Sequence, residues 1–150
     1  MLVASSAGLY GVRGRAPYAA SKGALVGLGL TLAHEHQRDG VGVNVLAPYA
    51  TTQMTADTMA AQENLSQRMT PERVAPLATW LASAECTANG EIWVAGGGYV
   101  RRARMMEGDG ARFDALADVS AALDASRSMQ SAVGFAGAEA SFADFAAKAL

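Results

Sequence analysis

Apolar positions along the chain fall into two rhythms. "MLVAS" at 1–5 is short, apolar and partly β-branched, with turn residues after it, and reads as a buried strand. "VGVNVLAP" at 41–48 runs toward a second buried strand that stops at Pro48, and "GEIWVAGGG" at 90–98 reads as a third, closed by glycines. Between the first two lies a long helical pattern from Pro17 to about Asp39, with proline at the first helical position and Gly40 just past the end. "TPERVAPLATWLAS" at 70–83 predicts a second helix, with Thr70 as its N-cap and Pro71 as its first residue. "SAGLYGVRGRA" at 6–16 carries glycines at 8, 11 and 14 and is expected to be a loop. Strand, helix, strand, helix, strand predicts an α/β fold: a parallel sheet whose crossovers are helices.

The rhythm changes near residue 105. "RRARMMEGDGARF" is charged and broken by glycine, and "DALADVSAALDASRSM" and "EASFADFAAKAL" then read as alanine-rich amphipathic helices. The expectation is an α/β unit over 1–105 with an appended helical extension over 106–150, and no internal repeat.

Composition narrows the function classes. Hydrophobic residues make up 51% and charged residues 17% of the 150, enough apolar content to build a packed core. A net charge of −2 removes nucleic acid and anionic membrane as default partners. The longest apolar runs, such as "ALVGLGLTLA", are too short to span a bilayer. The start "MLVASSAG" lacks the basic residues and long apolar stretch of a signal peptide, and Cys86 is the single cysteine, so the expected setting is the cytoplasm.

The chemistry begins with Tyr18 and Lys22, four apart and so on one helical face. A phenol titrates near pH 10, and service as a base at neutral pH needs about 3–4 kcal/mol of help. One ammonium about 4 Å away supplies roughly 4 kcal/mol at an effective dielectric of 20. The plain alternative is a surface tyrosine with an unrelated lysine. Ser5 ends the first strand, where side chains open into the crevice of an α/β sheet, and its hydroxyl suits a carbonyl oxygen. Ser6 is the neighbouring candidate, with bonding to the following backbone as its plain role. Ala19, Ala20, Gly23, Ala24 and Gly27 make the long helix approachable, either by a second subunit or by the protein's own sheet. His34 and His36 do not face one another, and Cys86 reads as a neutral packing thiol. Arg101, Arg102 and Arg104 read as solvated cations, with a coenzyme phosphate as the sharper alternative.

Taken together, "SSAGLYGVRGRAPYAASKGALVGLGLTLAHE" resembles the active-site segment of the short-chain dehydrogenase/reductase family. Within that family it most resembles the (3R)-hydroxyacyl-CoA dehydrogenase units of multifunctional β-oxidation enzymes, with support from "LAPYATTQMT", "PERVAPLATWL" and "CTANGEIWVAGGGYVRRAR". The resemblance covers residues 1–105 and matches the C-terminal half of such a domain, a doubly wound, Rossmann-like parallel sheet. It implies that Ser5, three residues before Gly8 and thirteen before Tyr18, orients the substrate. Tyr18 is then the general acid/base, and Lys22 assists it and holds the nicotinamide ribose. Pro48, Ala50 and Thr51 fall where the family backbone meets the nicotinamide, although Tyr49 stands where the family has glycine. The implied reaction moves a hydride between NAD or NADP and a 3-hydroxyacyl or 3-oxoacyl thioester in a homodimer or homotetramer, with no metal. The family's glycine-rich phosphate loop is not found in this chain, and "AGGGYV" at 95–100 does not replace it. The competing expectation is therefore a truncated, non-catalytic fragment or oligomerisation half-domain.

Overall fold

The computed structural model describes residues 1–52 and 67–149, in two compact units, Met1–Ala103 and Arg104–Leu150. The last part of "LAPYATTQMT", from residue 53, lies outside the described residues.

The first unit is built on one four-stranded sheet in the order β1 (Leu2–Val3), β2 (Val45–Tyr49), β3 (Ile92–Gly96), β4 (Tyr99–Ala103). The first three strands are parallel, with Leu2 opposite Val45 and Val45 opposite Ile92. All three expected strands are present, joined by helical crossovers as the pattern requires. β4 is an addition that the sequence reading missed. It returns antiparallel to β3 through a tight turn at Gly97 and Gly98, whose φ values of 60° and 82° only glycine adopts readily. Its charged sequence "YVRRA" hid it, since an edge strand tolerates arginine that a central strand would not.

Alternation along the strands sorts the core onto both faces of the sheet. Val45 and Ile92 join Ala4 and Val26 on one face, with Leu9, Leu25 and Leu30 around them. Leu46 and Ala95 join Val74 and Leu81 on the other, with Leu77, Cys86 and Trp93. Successive residues of one strand thus feed helices on opposite sides, the doubly wound arrangement.

The helices follow their punctuation with two corrections. α2 (Ala16–Glu35) starts with proline in its first turn, passes into a short 3-10 turn at Gln37–Asp39, and ends at Gly40 in left-handed conformation. The segment expected to be a loop instead opens with a short helix, α1 (Ser6–Tyr10), leaving only 11–15 irregular. Ser5 caps it, and Gly8 lies inside it rather than breaking it. The helix expected over 70–83 is two pieces, a 3-10 turn at Pro71–Arg73 and α3 (Ala75–Leu81). Pro76 has no N–H to donate back to residue 72, so the helix restarts with proline in a fresh first turn. Thr70 occupies the N-cap position without a side-chain bond to the backbone.

Two side-chain amides, buried Asn44 and exposed Asn89, fix the approach to β3. Asn44, 1% exposed, donates from Nδ2 to the Ala88 carbonyl (2.7 Å) and accepts at Oδ1 from the Glu91 N–H (3.2 Å). Asn89 accepts from the Val43 N–H (2.9 Å) and donates to the Ala33 carbonyl (3.1 Å), tying the same loop to the end of α2.

The second unit holds α4 (Val119–Ala125) and α5 (Ala138–Ala149). Ser141 of α5 donates to Glu107 at 2.7 Å, and the Arg112 guanidinium donates to the Lys148 carbonyl at 2.8 Å. Among the described residues no helix is long and apolar enough to cross a membrane.

Candidate active site

Ser5 sits where β1 hands over to α1. Its extended backbone (φ −161°, ψ 154°) turns the side chain over the first turn of α1, and Oγ accepts from the Ala7 N–H at 3.2 Å. The bond to the following backbone expected of Ser6 is thus made by Ser5. A hydroxyl that accepts one bond keeps its own O–H and a second lone pair, so Ser5 remains able to donate to a carbonyl oxygen.

Tyr18 stands in the first turn of α2 and is 41% exposed. Lys22 is half-buried one turn further on, with Nζ 5.9 Å from the centre of the Tyr18 ring. The ammonium donates to the Val3 carbonyl at 3.0 Å. The register explains why that carbonyl is available. Leu2 and Ala4 direct their N–H groups to Asn44 and Leu46 of the neighbouring chain segment, so Val3, between them, faces the open side of the sheet. Lys22 thus bridges the tyrosine-bearing face of α2 and the strand that runs into Ser5.

Pro48 and Tyr49 close β2, paired with Ala95 and Gly96 of β3. Ala50 and Thr51 follow, both half-buried, and the Thr51 N–H donates to the Met69 carbonyl. Because β1 and β2 are parallel, Ser5 and these residues emerge at the same C-terminal edge of the sheet, where ligands of α/β folds bind. Tyr49 is 43% exposed, so its bulk points out of the strand pairing.

The remaining candidates stay apart from this cluster. His36 pairs with Asp39 at 3.0 Å on an exposed turn. Arg102 pairs with Glu91 at 3.2 Å, and Arg101 lies 5.8 Å from the Tyr99 ring centre. Cys86 packs beneath α3 with Sγ 3.9 Å from Asn44 Nδ2. Among the described residues no group of three or more His, Cys, Asp or Glu could hold a metal ion.

Two participants escape a reading of side chains. One is the Val3 carbonyl, a backbone group. The other is Gly8, which lies against the Lys22–Gly23 peptide with no room for a side chain. A glycine three residues after a candidate serine was the available signal, but it looks the same as a loop glycine.

The family model described as short chain dehydrogenase matches residues 1–64. A short-chain type dehydrogenase/reductase of Mycobacterium tuberculosis is 40% identical over 114 residues, 76% of this chain and 39% of that protein. Hydroxyacyl-CoA dehydrogenase ChsB1 of the same organism is 38% identical over 101 residues, 64% of this chain and 32% of that protein. Among solved structures, full-length peroxisomal multifunctional enzyme type 2 of Drosophila melanogaster superposes on 97% of this chain and 27% of its own, with a TM-score of 0.83 and 25% identity. The chain spans well under half the length of each of these proteins.

Proposed function

This chain carries a segment of the short-chain dehydrogenase family, and on that premise we propose that it supplies the proton-transfer half of a dehydrogenase site. The reaction is hydride transfer between NAD or NADP and C3 of a 3-hydroxyacyl or 3-oxoacyl thioester. The observation that carries this reading is the Lys22 ammonium, 5.9 Å from the Tyr18 ring centre and 3.0 Å from the carbonyl of the strand leading into Ser5.

When bound, the nicotinamide supplies the hydride chemistry. The protein's own groups do the rest. The Tyr18 phenol gives a proton to the carbonyl oxygen in reduction, or takes it from the alcohol in oxidation. The Lys22 ammonium stands beside the Tyr18 ring, and its two unused N–H donors suit ribose hydroxyls. The Ser5 O–H holds the substrate oxygen in place. Backbone groups at Pro48, Ala50 and Thr51 line the strand edge where the nicotinamide amide would rest. The thioester class is favoured by the likeness to a hydroxyacyl-CoA dehydrogenase. A lone cysteine suits a reducing compartment such as the cytoplasm.

A second reading treats the chain as a non-catalytic half-domain that pairs with other subunits. The outward face of α2 favours it, with Ala20, Ala24, Gly27 and Leu28 exposed.

The test is a chimera in which this chain replaces the matching stretch of the M. tuberculosis dehydrogenase that is 40% identical. It should oxidise or reduce the thioester substrate. Tyr18→Phe, which keeps the ring, should cut kcat by roughly 10²–10⁴-fold with unchanged circular dichroism. Retention of most of the parental kcat would remove Tyr18 from the reaction.

A further inference from the structure

We propose that Gly8 is a positioning residue of this site: its bare α-carbon lets α1 lie directly on the Lys22–Gly23 peptide and so seats the Lys22 ammonium against Val3. Its catalytic meaning rests on the roles given above to Ser5, Tyr18 and Lys22; its geometry does not.

A Cβ at Gly8 would lie 2.5 Å from the Lys22 carbonyl carbon, 2.6 Å from the Gly23 nitrogen and 2.8 Å from the Lys22 oxygen. All three are backbone atoms, so no rotamer relieves the clash. Backbone freedom does not explain the glycine either. Gly8 lies within α1 and is absent from the glycines with positive φ. Glycine in a helix is otherwise a disadvantage, and close approach is what remains to account for it.

The contacts form a closed circuit. Lys22 Nζ reaches back to Val3 at 3.0 Å. Val3 leads through Ala4 to Ser5, whose side chain caps α1. Gly8 of α1 then rests on the backbone of Lys22 itself. Gly23 completes the seam from the other side, where an added Cβ would meet the Gly8 oxygen at 3.4 Å. A methyl group on Gly8 must part α1 and the Lys22 turn by roughly 1 Å, a displacement that in an active site costs about 10²-fold in rate.

The chain has two lysines, which makes the test direct. Lys148 pairs with Asp144 at 2.9 Å in the other unit and serves as the internal reference. Trace acetylation with acetic anhydride, read by peptide mass spectrometry, gives the Lys22:Lys148 labelling ratio. In Gly8→Ala the ratio should rise about threefold or more as the bond to Val3 is lost. Gly27→Ala, on the same helix with nothing within 4 Å, should leave it unchanged. Thermal melts identify the temperature range in which each variant is folded. If Gly8→Ala does not fold, Gly23→Val pushes on the same seam from α2 and should raise the ratio in its place. A parental ratio in folded Gly8→Ala, or in Gly23→Val where Gly8→Ala does not fold, overturns the proposal, as does an equal rise in Gly27→Ala. The ratio needs no turnover, so an inactive chimera counts against the dehydrogenase reading alone.

Discussion

The Lys22 ammonium rests on the Val3 carbonyl, 3.0 Å away and 19 residues back along the chain. A carbonyl orients an ammonium without cancelling its charge, whereas a carboxylate in the same place would offset the field felt by the Tyr18 phenol. Two of the three ammonium protons stay available. The arrangement keeps a full positive charge near the tyrosine and fixes it to the edge of the sheet.

Asn44 is the buried group whose loss should be felt most in stability. Asn44→Ala leaves the Ala88 carbonyl and the Glu91 N–H without their partner in a site that is 1% exposed. The expected cost is about 2–4 kcal/mol, from two buried polar groups left unpaired. Urea denaturation should show the midpoint falling at constant slope. A loss below about 0.5 kcal/mol would mean that water replaces the amide.

Gly27 tests the outward face of α2. Nothing lies within 4 Å of a Cβ built there, so a larger side chain does not disturb the folded unit. If α2 packs against a second subunit, Gly27→Leu should shift the mass from dimer or tetramer toward monomer in light scattering. A parent chain that is monomeric at high concentration would remove the premise.

Glu72 gives a small pH effect of known sign. Its carboxyl is held below the ordinary value of 4.5, first by its own backbone N–H and second by the Thr70 hydroxyl, against a weaker opposing effect of burial. A carboxyl lowered in the folded state stabilises above its unfolded value, and that contribution fades as pH falls through the lower folded value. Thr70→Val removes the second cause. The Glu72 titration followed by NMR should move part of the way toward 4.5, and any stability difference from the parent should vanish in acid. An unmoved titration would assign the lowering to the backbone alone.

Cofactor affinity is the sharpest quantity to measure on these 150 residues alone. The contacts offered are Lys22 and a few backbone groups after β2. Each hydrogen bond contributes about 0.5–1.5 kcal/mol, up to about 3 with charge, against several kcal/mol lost on association. Binding of NADH or NADPH should be roughly millimolar. Micromolar binding by calorimetry would show that the chain holds the dinucleotide by contacts other than these.

What the sequence made legible was whatever a side-chain pattern encodes. Gly40 after the helical run, Pro17 at its start and the three apolar strands all appear where expected. Tyr18 and Lys22 share a face because α2 runs unbroken through both. Gly8 defeated the same reasoning, since a glycine that admits a neighbouring backbone is indistinguishable in sequence from one that belongs to a loop. Pro76 split α3 from the turn before it, a consequence of a missing N–H that apolar spacing does not register. β4 went unseen because its arginines are compatible with an edge, and edges exist only once the sheet is assembled. The two readings of the small residues on α2 divide by position. Gly23 lies against the protein's own α1, where a Cβ would stand 3.4 Å from the Gly8 oxygen, while Gly27 faces open space.

The Asn44 clamp also bears on how fast the molecule assembles. The Glu91 N–H that it accepts lies 47 residues along the chain, and the parallel pairing of β2 with β3 closes the same long loop. The β3–β4 hairpin, by contrast, needs only Gly97 and Gly98 to close. Local pairing forms in microseconds, whereas distant parallel strands must first lose the entropy of a large loop. Assembly is thus expected to start from the hairpin and wait on β2, and the apolar strand "VLAPY" stays exposed in the interval. The step that buries Asn44 is then also the step that ends the period in which this chain is most prone to aggregate.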